Sequence, residues 1–151
     1  MVVVDPHPDT VKHRVRVEEL LGAVVADLRQ RAADHDLSKT RPPEVEAFNA
    51  ATDRLAGLEY GSDAYKEALR DLGPALAHHY AGNSHHPEAH AGGISGMTLL
   101  DLVEMLADWR AAGERMSDGS MARSLPINVE RFRIDPQLAR IMANTVAALG
   151  W

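Results

Sequence analysis

The sequence predicts an all-α protein built as a single domain. Apolar residues recur at helical spacing through most of the chain, and no valine- or isoleucine-rich alternating stretch has the pattern of a strand. A chain of 151 residues is long enough for one domain that buries roughly two thirds of its unfolded surface, and it is too short for two good cores. We therefore expect one helical domain over residues 1–151.

The first helix is expected to begin near Asp9 or Thr10, because either is a good N-cap after Pro8. It should run towards Ala33, with a break at Gly22. One histidine shares the helical spacing of the apolar residues in this segment: His13, Val17, Leu20, Val24 and Leu28. We therefore expect His13 to face the core.

Further helices are predicted at about Glu44–Leu55, Ala64–Tyr80, Met97–Met116 and Pro136–Leu149. Gly73 and Pro74 should kink or split the second of these helices, and Thr98 should cap the third. Between the last two helices, the sequence predicts a polar turn at Ser117–Ser120 and an irregular segment, SLPINVERF.

Composition excludes several classes of function. Cysteine is absent, so any metal must be held by nitrogen and oxygen ligands. The net charge of -6 argues against a broad electrostatic grip on a nucleic-acid duplex. No stretch approaches the ~20 apolar residues of a membrane span, and the N-terminus MVVVDPHPD lacks a basic targeting region. We expect a soluble, unprocessed, cytoplasmic protein that binds a small ligand or a protein partner, with a homodimer left open.

Histidines are concentrated in two motifs. The segment NSHHPEAH (Asn83–His90) places three of the eight histidines of the chain within eight residues that offer no apolar face. The segment HDLSK (His35–Lys39) pairs a neutral nitrogen donor with an anionic oxygen donor, close to a lysine that can hold a phosphate. The alternative for HDLSK is a helix C-terminus at which Asp36 caps the next turn.

An acidic stripe, Asp101, Glu104 and Asp108, is predicted on the helix that Thr98 caps. It lies opposite an apolar arc formed by Leu99, Val103, Leu106 and Trp109, as a solvated face would. We interpret Asp101 and Glu104 as residues of such a face. Trp109 beside Asp108 implies a partly buried setting for that carboxylate.

The order of a histidine, an HD pair, further histidines and a late aspartate resembles the HD-domain superfamily of metal-dependent phosphohydrolases. The resemblance implies an HD-like helical bundle with one metal site formed by His13, His35, Asp36 and Asp108. Members with a second metal add histidines between the HD pair and the last aspartate. Here these are His79 with His85 and His86, and the sequence does not tell which of the last two is the ligand.

A closer resemblance covers nearly the whole chain. The segments HDLSK, HHYAGNSHHPEAH, MTLLDLVEMLADWRAA and SDGSMARSLPINVERF look like those of small bacterial and phage proteins known only as a domain of unknown function with HD-like features. Lys39 also matches the lysine of the HDxGK motif in HD-GYP phosphodiesterases, which contacts phosphate. His78 and His90 are expected to lie outside the ligand set or at the surface.

These features predict hydrolysis of a nucleotide or another small phosphate ester by metal-activated water. Asp36 would bridge the metals, Lys39 and Arg31 would neutralise the phosphate, and Asn83 would order the loop or bind substrate. Nitrogen and oxygen ligands suit one or two ions of manganese, iron, cobalt, nickel or zinc. Two alternatives remain open, namely a di-iron oxygenase with the same ligands and a non-catalytic module that binds metal or nucleotide.

Overall fold

The computed structural model of the protein describes residues 5–59, 61–115 and 119–151. Within these ranges the secondary structure is helical and contains no strand, which confirms the all-α prediction. The chain divides into two compact units, one ending at His35 and one comprising Asp36–Trp151. The single domain over residues 1–151 stays a prediction.

The first unit contains helix α1, Pro8–Asp34. Its N-cap is His7, whose ring Nδ1 accepts a hydrogen bond from the backbone N–H of Asp9 at 3.2 Å, and Pro8 takes the first helical position that suits proline. The helix continues through Gly22, so the predicted break there is wrong. A glycine in place of alanine costs a helix about 1 kcal/mol, which is too little to end a helix when strong helix formers, here leucine and alanine, flank the glycine.

None of the described residues Pro8–Asp34 of α1 is buried. Val17, Leu20 and Val24 share the face on which the spacing placed His13, and all three are exposed. A single helix offers no core of its own, so the burial predicted for this face is not found within the first unit.

The second unit begins with a 3-10 turn, Leu37–Thr40, followed by helices α2, Val45–Ala56, and α3, Asp63–Gly82. Both helices pack against each other and against the turn. At Gly73 the backbone of α3 has φ 37° and ψ -113°, just before Pro74, which confirms the predicted kink. Only glycine adopts such angles without strain, so this residue allows α3 to bend.

The histidine-rich segment after α3 contains two 3-10 turns, Pro87–Ala89 and Gly93–Gly96. Helix α4, Leu99–Glu114, follows with the predicted cap, because Thr98 Oγ1 accepts from the backbone N–H of Asp101 and the Asp101 carboxylate accepts from the backbone N–H of Thr98. Asp101 is therefore a buried partner in a capping box, and its assignment to a solvated face is wrong.

The buried face of α4 also differs from the predicted apolar arc. Leu99 and Val103 are 75% and 38% exposed, whereas Leu102 and Met105 are buried together with Leu106. Apolar residues lie on more than one side of this helix, so spacing alone did not decide which side packs.

Helix α5, Met121–Arg131, occupies most of the segment predicted to be irregular. Pro126 lies on its exposed side, where water can satisfy the carbonyl group that proline leaves without a donor. Burial of Met121 and Leu125 outweighs that loss. Part of the predicted polar turn, Ser117 and Asp118, lies outside the described residues, and Ser120 is the N-cap of α5.

Helix α6, Pro136–Leu149, has the predicted bounds, with Asp135 as its N-cap. The core of the second unit joins α4, α5 and α6 and contains Leu102, Met105, Leu106, Met121, Leu125, Ile134, Met142 and Val146. At its border the rings of Trp109 and Phe132 stack with an interplanar angle of 4°. No helix within the described ranges has both the length and the apolar character needed to cross a membrane.

Candidate metal centre

Asp36 opens the candidate site. Its backbone is left-handed, with φ 55° and ψ 16°, a conformation that aspartate tolerates better than most residues, and it caps the turn Leu37–Thr40. Oδ2 accepts a hydrogen bond from Lys39 Nζ at 2.6 Å. Oδ1 points the other way and lies 3.2 Å from His79 Nε2 and 3.5 Å from His85 Nε2.

His79 comes from the last turn of α3 and is 1% exposed. Its Nδ1 lies 3.0 Å from Oε2 of Glu44, and a carboxylate can only accept, so Nδ1 carries the hydrogen. Nε2 faces Asp36 on one side and Nε2 of His86, at 3.0 Å, on the other. When the ring is neutral, the lone pair of Nε2 therefore points towards Asp36 and His86.

Glu44 precedes α2 and is fully buried, with 0% exposure. Ser38 Oγ donates to Oε2 at 2.7 Å, and His78 Nδ1 donates to Oε1 at 2.6 Å. Burial raises the pKa of this carboxyl, but hydrogen bonds from His78, Ser38 and His79 and the charge of His79 outweigh burial and leave the pKa below its ordinary value. Glu44 is thus held as a carboxylate against the histidines.

His85 repeats this arrangement from the histidine-rich loop. It is 2% exposed, its Nδ1 donates to Oε1 of Glu104 at 3.1 Å, and its Nε2 faces Asp36. The side chain of Glu104 is only 12% exposed, so its assignment to a solvated face is wrong. α4 instead turns this carboxylate towards the loop, where it orients His85.

His86 packs among aromatic rings, with its centroid 4.2 Å from that of His85 and 4.6 Å from that of Tyr80. Burial lowers the pKa of His86 to about 3, assisted by the charges of His85 and His79 and opposed by those of Asp108 and Asp36. His86 is consequently neutral at physiological pH, which is the form that binds a metal ion.

The atoms that face one another belong to Asp36, His79, His85 and His86, and one ligand atom from each lies within 4.8 Å of all the others. Ligand atoms around a tetrahedral ion with bonds of about 2.1 Å are roughly 3.4 Å apart. Three of the separations, 3.0, 3.2 and 3.5 Å, bracket that value. The structure therefore brings both His85 and His86, between which the sequence did not decide, to one group that could hold a metal ion.

Two predicted substrate residues border this group. The ammonium of Lys39 is hydrogen-bonded to Asp36 and lies 5.0 Å from the centre of the Phe48 ring. The amide of Asn83 donates to Ser38 Oγ at 3.1 Å and to the backbone carbonyl of His79 at 2.7 Å. Asn83 thus holds the end of α3 beside the histidines, and its substrate-binding role stays a prediction.

Asp108 lies partly buried on α4, with a carboxylate oxygen within 4.8 Å of one from Asp36. His13, Arg31 and His35 belong to the first unit, in which Arg31 pairs with Asp27 at 2.7 Å. The metal and phosphate roles of these three residues stay predictions.

Sequence reasoning missed Glu44 altogether and took His78 only as an outer residue. The side chain of His78 is 55% exposed and contacts Oε1 of Glu44. The role of Glu44 depends on residues from α3 that are distant in sequence, so no local spacing signals it. Its position directly after two prolines indicates only a helix start.

Fold and donors together define an all-α protein with a candidate metal centre made of three histidines and an aspartate. Residues 5–148 match DUF5662, a family of unknown function, and the chain belongs to this family. No curated protein and no solved structure matches the chain.

Proposed function

We propose that this protein is a metal-dependent phosphohydrolase of the HD type that acts on a nucleotide or another small phosphate ester. The observation that carries the proposal is the convergence of Asp36, His79, His85 and His86. Three imidazole nitrogens and one carboxylate suit manganese, iron, cobalt, nickel or zinc, and one or two such ions are expected. Bound to such a site, a transition-metal ion supplies hydroxide from water near neutral pH.

The charges of the site support a cation among these side chains. Four carboxylates surround the histidines, those of Asp36, Glu44, Glu104 and Asp108. Against them, the ammonium of Lys39 pairs with Asp36. The negative charges of these carboxylates would attract a divalent ion to the four-residue group.

The chain's own residues divide the remaining work. The residues Asp36, His79, His85 and His86 are called the ligand group below. The ammonium of Lys39 lies at the border of this group, where it can neutralise an oxygen of a substrate phosphate. Its side chain is 33% exposed, so a substrate can reach the ammonium from solvent. The HD resemblance adds His13, His35 and Asp108 as ligands. The helical spacing of Arg31, one turn before the HD pair, adds it as a second phosphate contact. Both additions are predictions from the sequence.

The direct test is metal analysis of protein purified without a histidine tag or chelator. We expect about one or two transition-metal ions per chain, and chelation should lower the melting temperature. The metal-loaded protein should release phosphate from a panel of nucleoside monophosphates, cyclic nucleotides and a chromogenic phosphodiester. If the protein holds no metal and added manganese or zinc does not stabilise it, the proposal is wrong.

Asp36→Asn sharpens this test because it keeps the shape of the side chain and removes its charge. Metal affinity and hydrolysis should both collapse. Glu88→Gln is the matched control, because it makes the same carboxylate-to-amide change on an exposed residue that pairs with Arg131. Wild-type protein that hydrolyses none of the panel, but binds oxygen at a reduced iron centre, would support the oxygenase alternative instead. Ligand-dependent stabilisation without turnover would support the binding module.

A further inference from the structure

Two histidines of the ligand group are held from behind by carboxylates on different elements. Glu44 precedes α2 and accepts from Nδ1 of His79, while Glu104 on α4 accepts from Nδ1 of His85. In both pairs the opposite nitrogen, Nε2, faces Oδ1 of Asp36. The same hydrogen-bonding pattern therefore occurs twice around one carboxylate oxygen.

We propose that Glu44 and Glu104 are positioning residues that act through His79 and His85, respectively. Each carboxylate fixes the hydrogen on Nδ1 and the orientation of the ring, so that the Nε2 lone pair is directed at the metal position. A carboxylate behind a ligating histidine also makes the ring a stronger donor. This inference rests on the proposed function, since it assigns the residues that orient the ligands of that same site.

The surroundings of Glu44 support its role in orienting His79, because they fix the position of its carboxylate. Both of its oxygens are used, Oε1 by His78 and Oε2 by Ser38 and His79, and none of the side chain is exposed to solvent. Asn83 donates to Ser38 and thereby supports the serine that holds Oε2. In Glu44→Gln, the amide NH2 group would replace one carboxylate oxygen. It cannot accept a hydrogen bond, so at least one of these three donors would lose its acceptor.

The structure also separates the two carboxylates by burial. Glu44 is fully buried, whereas Glu104 keeps 12% of its side chain exposed. Water can partly replace the hydrogen bond of Glu104 but cannot reach Glu44. The effect of removing the charge should therefore be larger at Glu44.

The first experiment determines the histidine tautomers of wild-type protein by nitrogen-15 NMR, with the metal removed by chelation and with zinc bound. Nδ1 of His79 and of His85 should carry a hydrogen in both states, and Nε2 should show the ligated shift with zinc. Neutral rings that carry the hydrogen on Nε2 would overturn the inference. This measurement needs no variant and does not depend on whether a variant folds.

The second experiment compares zinc affinities by chelator competition. Glu44→Gln and Glu104→Gln should bind zinc about 10–100-fold more weakly than wild type, the usual cost of losing such a partner. The d–d spectrum of their cobalt forms should also change, which a merely structural role would not produce. Glu88→Gln should match wild type in both measurements.

The outcomes separate this inference from the proposed function. Equal zinc affinities and cobalt spectra for Glu44→Gln, Glu104→Gln and wild type would overturn the positioning roles while the metal site stands. Failure of wild type to bind any metal would instead contradict the proposed function on which the inference rests.

Discussion

The Nε2 atoms of His79 and His86 lie 3.0 Å apart. His79 keeps the hydrogen on Nδ1 for Glu44, and His86 is neutral at physiological pH because burial lowers its pKa to about 3. Two imidazole nitrogens at this separation share either a hydrogen or a metal ion. The nearby Oδ1 of Asp36 and Nε2 of His85 favour the metal ion.

Replacement of His86 by alanine should therefore abolish activity and remove at most one metal ion, while the helical fold stays intact. Metal analysis and circular dichroism of His86→Ala test this expectation. The control is His90→Ala, because Nε2 of His90 is used by the backbone carbonyl of Ser84 at 2.8 Å and the residue is not among the described groups that could hold a metal. It should retain its metal. Loss of the fold in His86→Ala would mean that the loop histidines are structural.

The sequence predicted the fold well wherever local signals decide the structure. Thr98 with Asp101 three residues later forms the capping box, and Gly73 followed by Pro74 produces the kink. The sequence predicted an irregular segment where most of helix α5 lies, and Pro126 within it disfavours a helix unless burial compensates. Such conflicts are decided by burial, which depends on the neighbouring helices.

In the candidate site as well, the sequence predicted some residues and not others. His79, His85 and His86 were predicted from the resemblance to HD proteins with a second metal, whereas Glu44 and Glu104 were not assigned to the site. A carboxylate that orients a histidine needs only one contact, and that contact joins elements distant in the chain. No residue spacing encodes it, so only the three-dimensional arrangement identifies these partners.

The metal-free protein should lose stability as the pH falls from about 6.5 towards about 3, because His86 binds a proton more readily in the unfolded chain than in the folded one. The lowered pKa of Glu44 acts in the same direction, but only below its ordinary value of 4.5. Between pH 4.5 and 6.5, the free energy of unfolding should therefore fall less steeply for His86→Ala than for wild type. Urea unfolding with chelator present measures both slopes, and equal slopes would contradict the assigned protonation state of His86.

The corrected face of α4 gives a prediction for stability. Met105 is 1% exposed in the core, so Met105→Ala should lower the free energy of unfolding by about 2–5 kcal/mol. Leu99→Ala on the same helix should change it by less than about 0.5 kcal/mol, because Leu99 is 75% exposed. Urea denaturation at neutral pH compares the two variants. A larger loss of unfolding free energy for Leu99→Ala than for Met105→Ala would support the apolar arc predicted from the sequence instead.

Lys39 separates phosphate binding from metal binding. Its ammonium is 2.6 Å from Oδ2 of Asp36 and is not one of the proposed ligands, so Lys39→Ala leaves every donor in place. It also removes a cation that competes for the Asp36 carboxylate, and metal content should persist or increase. Turnover of a phosphate ester should nevertheless fall by about 10²-fold or more, the usual loss when one preorganised stabilising contact is deleted.

Metal analysis and phosphate release, measured on the same preparation of Lys39→Ala, show whether this lysine binds the substrate phosphate or supports the Asp36 carboxylate. A second variant, Lys39→Arg, keeps the charge and should recover part of the lost turnover, because guanidinium also binds phosphate. Lys66→Ala is the control, since Lys66 pairs with Asp63 on the exposed start of α3. If Lys39→Ala loses its metal together with its activity, the lysine supports the Asp36 carboxylate. If it turns over substrate as fast as wild type, the phosphate-holding role is wrong although the metal centre stands.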